Sequence, residues 1–320
     1  MLHGLKMKVL VKSKKLVANG IAAFKLVAPG GEQLPLFSAG AHIDVFLGND
    51  LVRQYSLCNA PSDRSHYQIG VLLEPNSRGG SRAMHNLAEG QLIEISEPKN
   101  HFPLTAGARR SVLIAGGIGI TPILAMAEHL REERQDFDLH YCVRDHERAA
   151  FRERVAHDDF APHARLYYDT APSRERVKFS EVLRSPDRDV HLYVCGPGGF
   201  IDAVIKEATS AGWGSENVHR EYFGNAPTSG EGDLPFQLRL ARSGKIVEVR
   251  SSQTAAQALA AHGIDIQTSC EQGVCGTCMT KVLEGVPDHR DVYMTDEEHA
   301  ANDQFTPCCS RAKTPLLIDL

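Results

Sequence analysis

Three cysteines, Cys270, Cys275 and Cys278, lie within nine residues of each other in the segment SCEQGVCGTC, and this spacing constrains the fold more than any other feature of the sequence. The pattern is C-x4-C-x2-C, and a further thiol follows at Cys308 or Cys309 in FTPCCSRA. A plant-type [2Fe-2S] cluster uses three thiolates in this spacing and a distant fourth. The sequence therefore predicts an iron-sulfur cluster near the end of the chain.

The main alternative for these thiols is a structural zinc site with four cysteine ligands. Zinc ribbons and knuckles usually present two separated C-x2-C pairs, and here one pair is replaced by two adjacent cysteines. Small residues at Gly273, Gly276 and Thr277 also suit a loop that wraps a cluster. Adjacent residues of a strand point to opposite sides, so only one of Cys308 and Cys309 is expected to face the cluster.

Length and charge limit the number of domains and the class of binding partner. A chain of 320 residues exceeds one ordinary hydrophobic core, so two or three domains are expected. Residues 1–230 contain 27 Lys and Arg and 27 Asp and Glu, so the whole net charge of −5 lies in residues 231–320. That acidic end disfavours nucleic acid and favours a basic protein surface as partner. Because no signal peptide or membrane span is recognisable, we expect a cytoplasmic protein with reduced thiols.

The apolar pattern changes twice along the chain. Residues 1–106 alternate short apolar runs with turn residues, which predicts an antiparallel β-barrel or sandwich. In residues 107–225 strand-like and helical patterns alternate, which predicts an α/β domain with a doubly wound parallel sheet. Residues 226–235 are rich in Gly and Pro and predict a linker. Residues 236–320 predict a small third domain with a hairpin and a short helix.

Four stretches suit nucleotide-like cofactors. RQYSL offers the cation of Arg53, the ring of Tyr55 and the hydroxyl of Ser56, although an ordinary strand can have these residues too. In NSRGGSRAMH, paired glycines before a predicted helix start make an anion-binding nest. The turns in IAGGIGITPI and YVCGPGGF follow two strands of the predicted parallel sheet. Either could be only a tight turn, but together they predict a nucleotide site at the edge where such sheets bind ligands.

In this order the stretches RQYSL, GGSRAMH, AGGIGITPI, CGPGGF, EYF and SCEQGVCGTC with CCSRA resemble the phthalate dioxygenase reductase family, which includes vanillate demethylase reductase subunits. The resemblance spans essentially the whole chain and rests on the ordered set of motifs. It implies a ferredoxin reductase-type flavin barrel, a pyridine nucleotide domain and a C-terminal β-grasp (α+β) ferredoxin domain. It also implies FMN rather than FAD as the flavin and NADH as the electron donor.

Carried over position by position, the resemblance implies roles for individual residues. Those expected to contact the flavin are Arg53, Tyr55, Ser56, Val71, Leu72, Leu73, Thr121 and Phe223, with Gly79, Gly80 and Ser81 at its phosphate. Those expected to frame the nicotinamide nucleotide are Gly117, Gly119, Cys195, Gly196 and Pro197. The implied cluster ligands are Cys270, Cys275, Cys278 and Cys308, with Cys309 as a buried neighbour.

Arg144 and Asp145 lie where the adenine ribose would be met. Asp145 could accept a hydrogen bond from a ribose hydroxyl and disfavour the 2′-phosphate of NADPH, whereas Arg144 could attract that phosphate. A plain surface charge pair is the third interpretation, so the residues alone leave the donor open.

A nicotinamide gives up two electrons as hydride, an iron-sulfur cluster accepts one, and a flavin between them can release electrons singly. The resemblance therefore predicts a reductase that passes electrons from NADH through FMN and the [2Fe-2S] cluster to a terminal oxygenase. That oxygenase is expected to be of the Rieske type, to act on an aromatic acid or similar small molecule, and to dock near the acidic ferredoxin domain. Two alternatives stay open, namely a P450 or similar acceptor and a redox sensor without turnover. No general-base constellation is expected, and the histidines are expected to be ordinary surface or core residues.

Overall fold

Six antiparallel strands build the first sheet of the computed structural model. They are β1 (Lys6–Ala18), β2 (Ile21–Val27), β3 (His42–Phe46), β4 (Val52–Ser56), β5 (Tyr67–Leu72) and β6 (Leu92–Ser96). Their order is β4-β3-β6-β1-β2-β5. Just after β4, the N–H of Cys58 donates to the carbonyl of Gln68 in β5 at 2.8 Å, which closes the sheet into a barrel. Phe24, Ile43 and Ile69 are among the side chains that fill its interior.

The structure describes residues 6–48, 51–75, 77, 79–157, 160–223, 233–268, 273, 276–291 and 293–320. Within those ranges, no helix is long and apolar enough to cross a membrane. A short helix, α1 (Gly80–Asn86), adds Met84 to the barrel core.

Five parallel strands form the second sheet. They are β7 (Arg110–Gly116), β8 (Asp136–Val143), β9 (Ala164–Tyr168), β10 (Val190–Gly196) and β11 (Val218–Tyr222). The helices of this region are α2 (Ile120–Glu132), α3 (Arg152–Val155), α4 (Phe179–Val182) and α5 (Gly198–Ser210). The strand order β11-β10-β7-β8-β9 confirms the predicted doubly wound sheet.

The alternating sides of β7 show how this sheet is covered. Leu113 and Ala115 pack into one hydrophobic core with α2, while Val112 and Ile114 pack into another with α5. The first core also includes barrel residues such as Ile21, Cys58 and Phe102. The barrel and the parallel sheet are therefore packed together within one compact unit, Met1–Phe223.

The second compact unit, Gly224–Leu320, is built on a small mixed sheet. Its strands are β12 (Phe236–Leu240), β13 (Ile246–Val249), β14 (Thr280–Glu284), β15 (Pro287–Asp288), β16 (Gln304–Phe305), β17 (Arg311–Ala312) and β18 (Leu316–Ile318). The main sheet has the order β13-β12-β18-β14-β16, and β15 pairs with β17. Its two helices are α6 (Ala255–Ala261) and α7 (Asp296–Ala301).

Local sequence signals explain the elements of this unit. β12 and β13 form the predicted antiparallel hairpin. Thr254 and Gln257 form a capping box at the start of α6, and Gly263, with φ 73°, follows its end. Apolar residues of β12, β13, α6 and β18 form one core, as expected for the predicted ferredoxin fold. The boundaries 1–106, 107–225, 226–235 and 236–320 stay predictions, and residues 224–232 lie outside the described ranges.

Candidate functional site

The two glycine-rich turns lie side by side at the carboxyl edge of the parallel sheet. β7 and β10 are paired neighbours, but β8 and β9 extend the sheet on one side of them and β11 on the other. Such a reversal of strand order leaves a crevice at the carboxyl ends, where open α/β sheets bind ligands. Gly117 and Gly119 follow β7 in a 3₁₀ turn, and Cys195 and Gly196 end β10. These four of the five predicted nucleotide residues are thus at this crevice.

Glycine is required where the two turns meet. A Cβ atom added to Gly119 would overlap the backbone carbonyl of Cys195, and Gly117 has φ +55°. A Cβ atom on Gly196 would lie 2.9 Å from the ring of Phe200 and 3.0 Å from Cα of Gly116. The turns therefore pack backbone against backbone, which leaves room in the crevice for a ligand to approach the main chain closely.

Two helices begin at the same crevice. α2 and α5 have 13 residues each, and no described side chain caps either N-terminus. Pro197 is the N-cap of α5, and the hydroxyl of Thr121 in α2 donates back to the carbonyl of Ile118 at 3.1 Å. First-turn N–H groups and the helix dipoles favour negative charge at this position, as a pyrophosphate would supply.

A carboxylate from the last parallel strand reaches the predicted flavin strand. Glu221 of β11 is paired in register with Cys195 of β10, and Ser56 of β4 donates to Glu221 Oε2 in a long hydrogen bond of 3.5 Å. Burial raises the pKa of Glu221 to about 8, with a smaller opposing effect from the Ser56 hydroxyl. Burial, together with Glu221, raises the pKa of the Cys195 thiol. Ser56, Cys195 and Glu221 thus form one group between the barrel and the sheet, in which Ser56 and Cys195 are buried and Glu221 is half-buried.

The sequence did not assign a role to Glu221. The EYF segment at the end of the last parallel strand was the only signal, and its partner Ser56 lies 165 residues earlier in the chain. Neither the proximity nor the burial can be read from spacing. Phe223, two residues later, is half-buried against the core shared by barrel and sheet.

The other predicted flavin residues differ in how their side chains are placed. Tyr55 is half-buried, and burial raises the pKa of its hydroxyl. Val71 is fully buried in the barrel core, so only its backbone is available to a ligand, and its carbonyl lies 3.0 Å from His85 Nε2. Leu72 is half-buried and Leu73 is exposed. Their roles as flavin contacts stay predictions.

The predicted phosphate site brings a cation to the start of α1. Gly79 has φ +98°, and a Cβ on Gly80 would lie 2.6 Å from the side chain of Arg53, which crosses over it. The backbone N–H of Glu74 donates to Ser81 Oγ at 3.1 Å, so the Ser81 hydroxyl also fastens the preceding loop. Arg53, Gly79, Gly80 and Ser81 are therefore together, as a phosphate site requires.

A strained phenylalanine, Phe151, which was not predicted from the sequence, packs where β5 of the barrel meets α2. Phe151 has the left-handed conformation, with φ 56°, which is uncommon for a bulky residue. A Cβ on Gly70 of β5 would lie 2.9 Å from Thr121 Cγ2 and 3.1 Å from the Phe151 ring. Arg154, one helical turn on, donates to the Cys58 carbonyl at 2.8 Å and to Glu128 at 2.9 Å. These contacts hold the barrel against α2.

The described part of the cluster region has two of the predicted ligands. Cys278 and Cys308 are buried together with Cys309, whereas Cys270 and Cys275 lie outside the described residues. Gly276 has φ +66°, and the ring of Tyr293 occupies the space that a Cβ there would need. The loop thus depends on glycine at this position, in agreement with the expected small residues.

The expectation that Cys308 and Cys309 lie on a strand is wrong, because both lie in the turn between β16 and β17. The N–H groups of Cys309 and Ser310 donate to the Thr306 carbonyl at 3.1 and 2.9 Å, which closes that turn. Cys309 Sγ lies 3.2 Å from Thr306 Oγ1. Alternation along a strand therefore cannot choose between the two thiols, and Cys308 stays the predicted ligand by resemblance.

Two family models match parts of the chain. Residues 238–313 match the 2Fe-2S iron-sulfur cluster binding domain. Residues 96–218 match the N-terminal domain of the dimethylamine monooxygenase subunit DmmA-like family. The first match covers the cysteine region and supports a cluster rather than the alternative zinc site.

Relatives match nearly the whole chain. Vanillate O-demethylase oxidoreductase of Pseudomonas sp. (strain HR199 / DSM 7063) is 50% identical over 312 residues, 97% of this chain and 98% of the relative. A solved phthalate dioxygenase reductase, a modular structure for electron transfer from pyridine nucleotides to [2Fe-2S], has a TM-score of 0.80 and 36% identity over 98% of both chains. An intact type IV self-sufficient cytochrome P450 monooxygenase has a TM-score of 0.78 and 37% identity over 98% of this chain and 41% of that one.

Proposed function

The chain belongs to the phthalate dioxygenase reductase family, and on that premise we propose that it takes electrons from NADH and passes them through FMN and a [2Fe-2S] cluster to a terminal oxygenase. Membership makes the chain an oxidoreductase with a flavin- and nicotinamide-binding unit and a cluster-binding unit. A redox sensor without turnover is therefore set aside. The identity of the donor, the flavin and the acceptor is what the proposal adds.

The observation that carries the proposal is the meeting of Ser56 with Glu221 and Cys195. Ser56 lies on the predicted flavin strand, and Cys195 ends the strand at the nucleotide crevice. The hydrogen bond between Ser56 and Glu221 joins the two at one point, within one compact unit. A hydride acceptor and a hydride donor held at these two places would be neighbours, as transfer requires.

The residues of the chain would bind and orient rather than react. A bound flavin supplies the chemistry of accepting a hydride and releasing electrons singly. The glycine turns and the starts of α2 and α5 would hold a pyrophosphate, and Arg53 would face the flavin phosphate. With a pKa of about 8, Glu221 can hold a proton at neutral pH beside the Ser56 hydroxyl.

Two carboxylates support NADH rather than NADPH. Asp145 follows β8, where its Oδ1 accepts from the Arg148 N–H at 3.1 Å and Oδ2 lies 3.5 Å from Arg148 Nε. Asp169 follows β9, and its N–H donates to the Val143 carbonyl at the end of β8 at 3.0 Å. Both acids thus stand at the carboxyl edge of the sheet on the β8 side of the crevice, where they would repel a 2′-phosphate. Sequence reasoning singled out Asp145 but not Asp169.

Exposed acids next to the cluster loop support docking of the oxygenase there. Tyr293, which is 42% exposed, covers Gly276 of that loop. Asp296, Glu297 and Glu298 follow in the first turn of α7, and all three are exposed. A basic surface on the oxygenase would be steered to this side of the unit, more strongly at low salt.

The likeness to a P450 monooxygenase keeps a P450 as the second candidate acceptor. For either acceptor we place the chain in the cytoplasm, where cluster thiolates stay reduced. Rates with a purified Rieske oxygenase and a purified P450 from the same host would rank the two.

An anaerobic NADH titration of the purified protein tests the electron route, with iron, sulfide and released flavin quantified on the same sample. We expect FMN on extraction and bleaching of both flavin and cluster absorption. Cys275→Ser should abolish reduction of the oxygenase while NADH still reduces the flavin. Equal loss of flavin reduction in that variant would contradict the proposed order, and recovery of FAD would contradict the choice of flavin.

A further inference from the structure

Two histidines and an aspartate converge in the second unit, apart from the predicted cluster ligands. His289, Asp291 and His299 each offer a ligand atom, and these atoms all lie within 4.8 Å of one another. His289 follows β15, and His299 lies on α7. In the sequence the three residues have the spacing H-x-D-x7-H. The Asp291 side chain is fully buried and His299 is a quarter exposed. The group therefore has one side open to solvent.

His289 is the unexpected member of this group. Its side chain is only 10% exposed, and neither ring nitrogen has a well-aligned hydrogen-bond partner among the described residues, although the Asn302 side chain and the His299 backbone approach the ring. Nδ1 lies 3.9 Å from Asp291 Oδ1, which is beyond hydrogen-bond length. A buried polar group without a partner costs free energy and calls for an explanation. A bound ion would supply the missing partner.

The donor set and the distances favour zinc. Two imidazole nitrogens and one carboxylate oxygen are a usual three-ligand set for Zn²⁺, with water as the fourth ligand. Tetrahedral ligands at about 2.0–2.2 Å from zinc are about 3.4 Å apart. His299 Nε2 lies 3.2 Å from Asp291 Oδ2, close to that separation, and the His289–Asp291 distance of 3.9 Å is somewhat longer.

The two imidazole rings must turn for all three ligands to face one ion. They are stacked with centroids 4.5 Å apart and planes 21° from parallel, so their lone pairs do not yet converge. His299 is a quarter exposed, so its ring can turn on the solvent side by giving up its present hydrogen bond to Asp291. Asp291 is held by the Met294 N–H at 2.9 Å and by the hydroxyl of Thr306 at 3.2 Å, so it would stay in place.

We propose that His289, Asp291 and His299 form a zinc-binding site, separate from the [2Fe-2S] ligands. The site lies against the cluster loop, since a Cβ on Gly273 would be 2.9 Å from Cα and Cβ of Asp291. The zinc site does not depend on NADH as electron donor or on an oxygenase as electron acceptor. It differs from the expectation that the histidines are ordinary surface or core residues.

Calorimetric titration of ZnCl₂ into the full-length, cluster-loaded protein tests the site, with cluster absorbance recorded before and after. We expect one equivalent bound with a micromolar or lower Kd. His299→Ala should raise Kd by at least on the order of tenfold, and His289→Ala likewise. The control is His262→Ala in the same unit, whose ring bonds the Ala258 carbonyl and should leave Kd unchanged.

Zinc-edge X-ray absorption on the titrated sample identifies the ligands. Nitrogen and oxygen at about 2.0–2.1 Å without sulfur would support the site. Sulfur at about 2.3 Å, or loss of cluster absorbance, would place zinc on the cysteines and overturn it. Unchanged affinity in His299→Ala, or only millimolar binding, would overturn it as well. Because His299 is partly exposed, its variant tests the site even if His289→Ala does not fold.

Discussion

Two carboxylates, one in each unit, are surrounded in opposite ways. Glu221 is half-buried, and its one hydrogen bond within the described ranges is a long one, from Ser56 at 3.5 Å; desolvation raises its pKa to about 8. Asp291 accepts from the N–H of Met294 at 2.9 Å and from the hydroxyls of Thr306 and Ser310 at 3.2 and 3.4 Å. Burial without donors favours the neutral acid, whereas several donors use the carboxylate as a fixed acceptor. Glu221 is thus placed to exchange a proton, and Asp291 to hold the turn that includes Cys308.

The largest expected effect on stability comes from removing Asp291, the carboxylate that accepts several hydrogen bonds. Asp291→Ala would leave the Met294 N–H without its acceptor and would remove the acceptor that the Thr306 and Ser310 hydroxyls share, which then keep their bond to each other at 2.8 Å. We expect a cost of about 3–5 kcal/mol of unfolding free energy. The measurement is the temperature at which cluster absorbance disappears. Asp303→Ala, at an exposed aspartate of the same unit, should leave it nearly unchanged. Equal effects of the two substitutions would remove the contrast.

Glu221→Gln should show a smaller effect with a distinct pH dependence. The folded protein keeps the Glu221 proton up to about pH 8, whereas an unfolded chain releases it near 4.5. Wild-type stability therefore falls as pH rises between these values, and the loss is complete only above pH 8. The neutral Gln avoids that loss, so we expect the variant to be more stable at pH 8.5 by about 2–4 kcal/mol and equal near pH 4.5.

Urea unfolding of the flavin-loaded protein, followed by flavin fluorescence at both pH values, would measure this difference. Glu216→Gln, at an exposed glutamate of the same unit, is the control and should show no such pH dependence. A constant stability difference between the two pH values would mean that Glu221 is already ionised at pH 4.5.

Asp169 is an exposed carboxylate, and its substitution should have a smaller effect than substitution of Asp291 or Glu221. Asp169→Asn removes a charge at the proposed 2′-phosphate position, and a unit charge at about 4 Å in water is worth about 1 kcal/mol. We expect the ratio of kcat/KM for NADPH to that for NADH to rise about fivefold. Asp189→Asn is the control, because Asp189 precedes β10 at the opposite edge of the sheet. A matching rise in the control would exclude a local effect.

The smallest effect should come from the hydrogen bond between Ser56 and Glu221. Ser56 lowers the pKa of Glu221, so Ser56→Ala should raise that pKa further, by a small amount because the bond is long. The inflection in the pH profile of flavin reduction by NADH would move to higher pH. A shift to lower pH would show that the hydroxyl stabilises the protonated acid instead.

Most of the fold follows from local patterns. The alternation of strand and helix predicted the doubly wound sheet, and Gly263 predicted the end of α6. Each of these signals lies within a few consecutive residues, so it can be read without knowledge of the tertiary structure. The strand expected at Cys308 and Cys309 failed because three turn-closing contacts to Thr306 outweigh the local apolar character.

The sequence by itself determined the set of cofactor-binding elements and their order, because cysteine spacing, glycine turns and apolar periodicity are written along the chain. Only the tertiary structure decided that Ser56 meets Glu221 across 165 residues and that the largely buried His289 ring lies beside Asp291 without a well-aligned hydrogen-bond partner among the described residues. The physical reason is that a proton affinity or an unmet ring nitrogen depends on desolvation and on partners from distant segments. Those quantities exist only once the chain is packed.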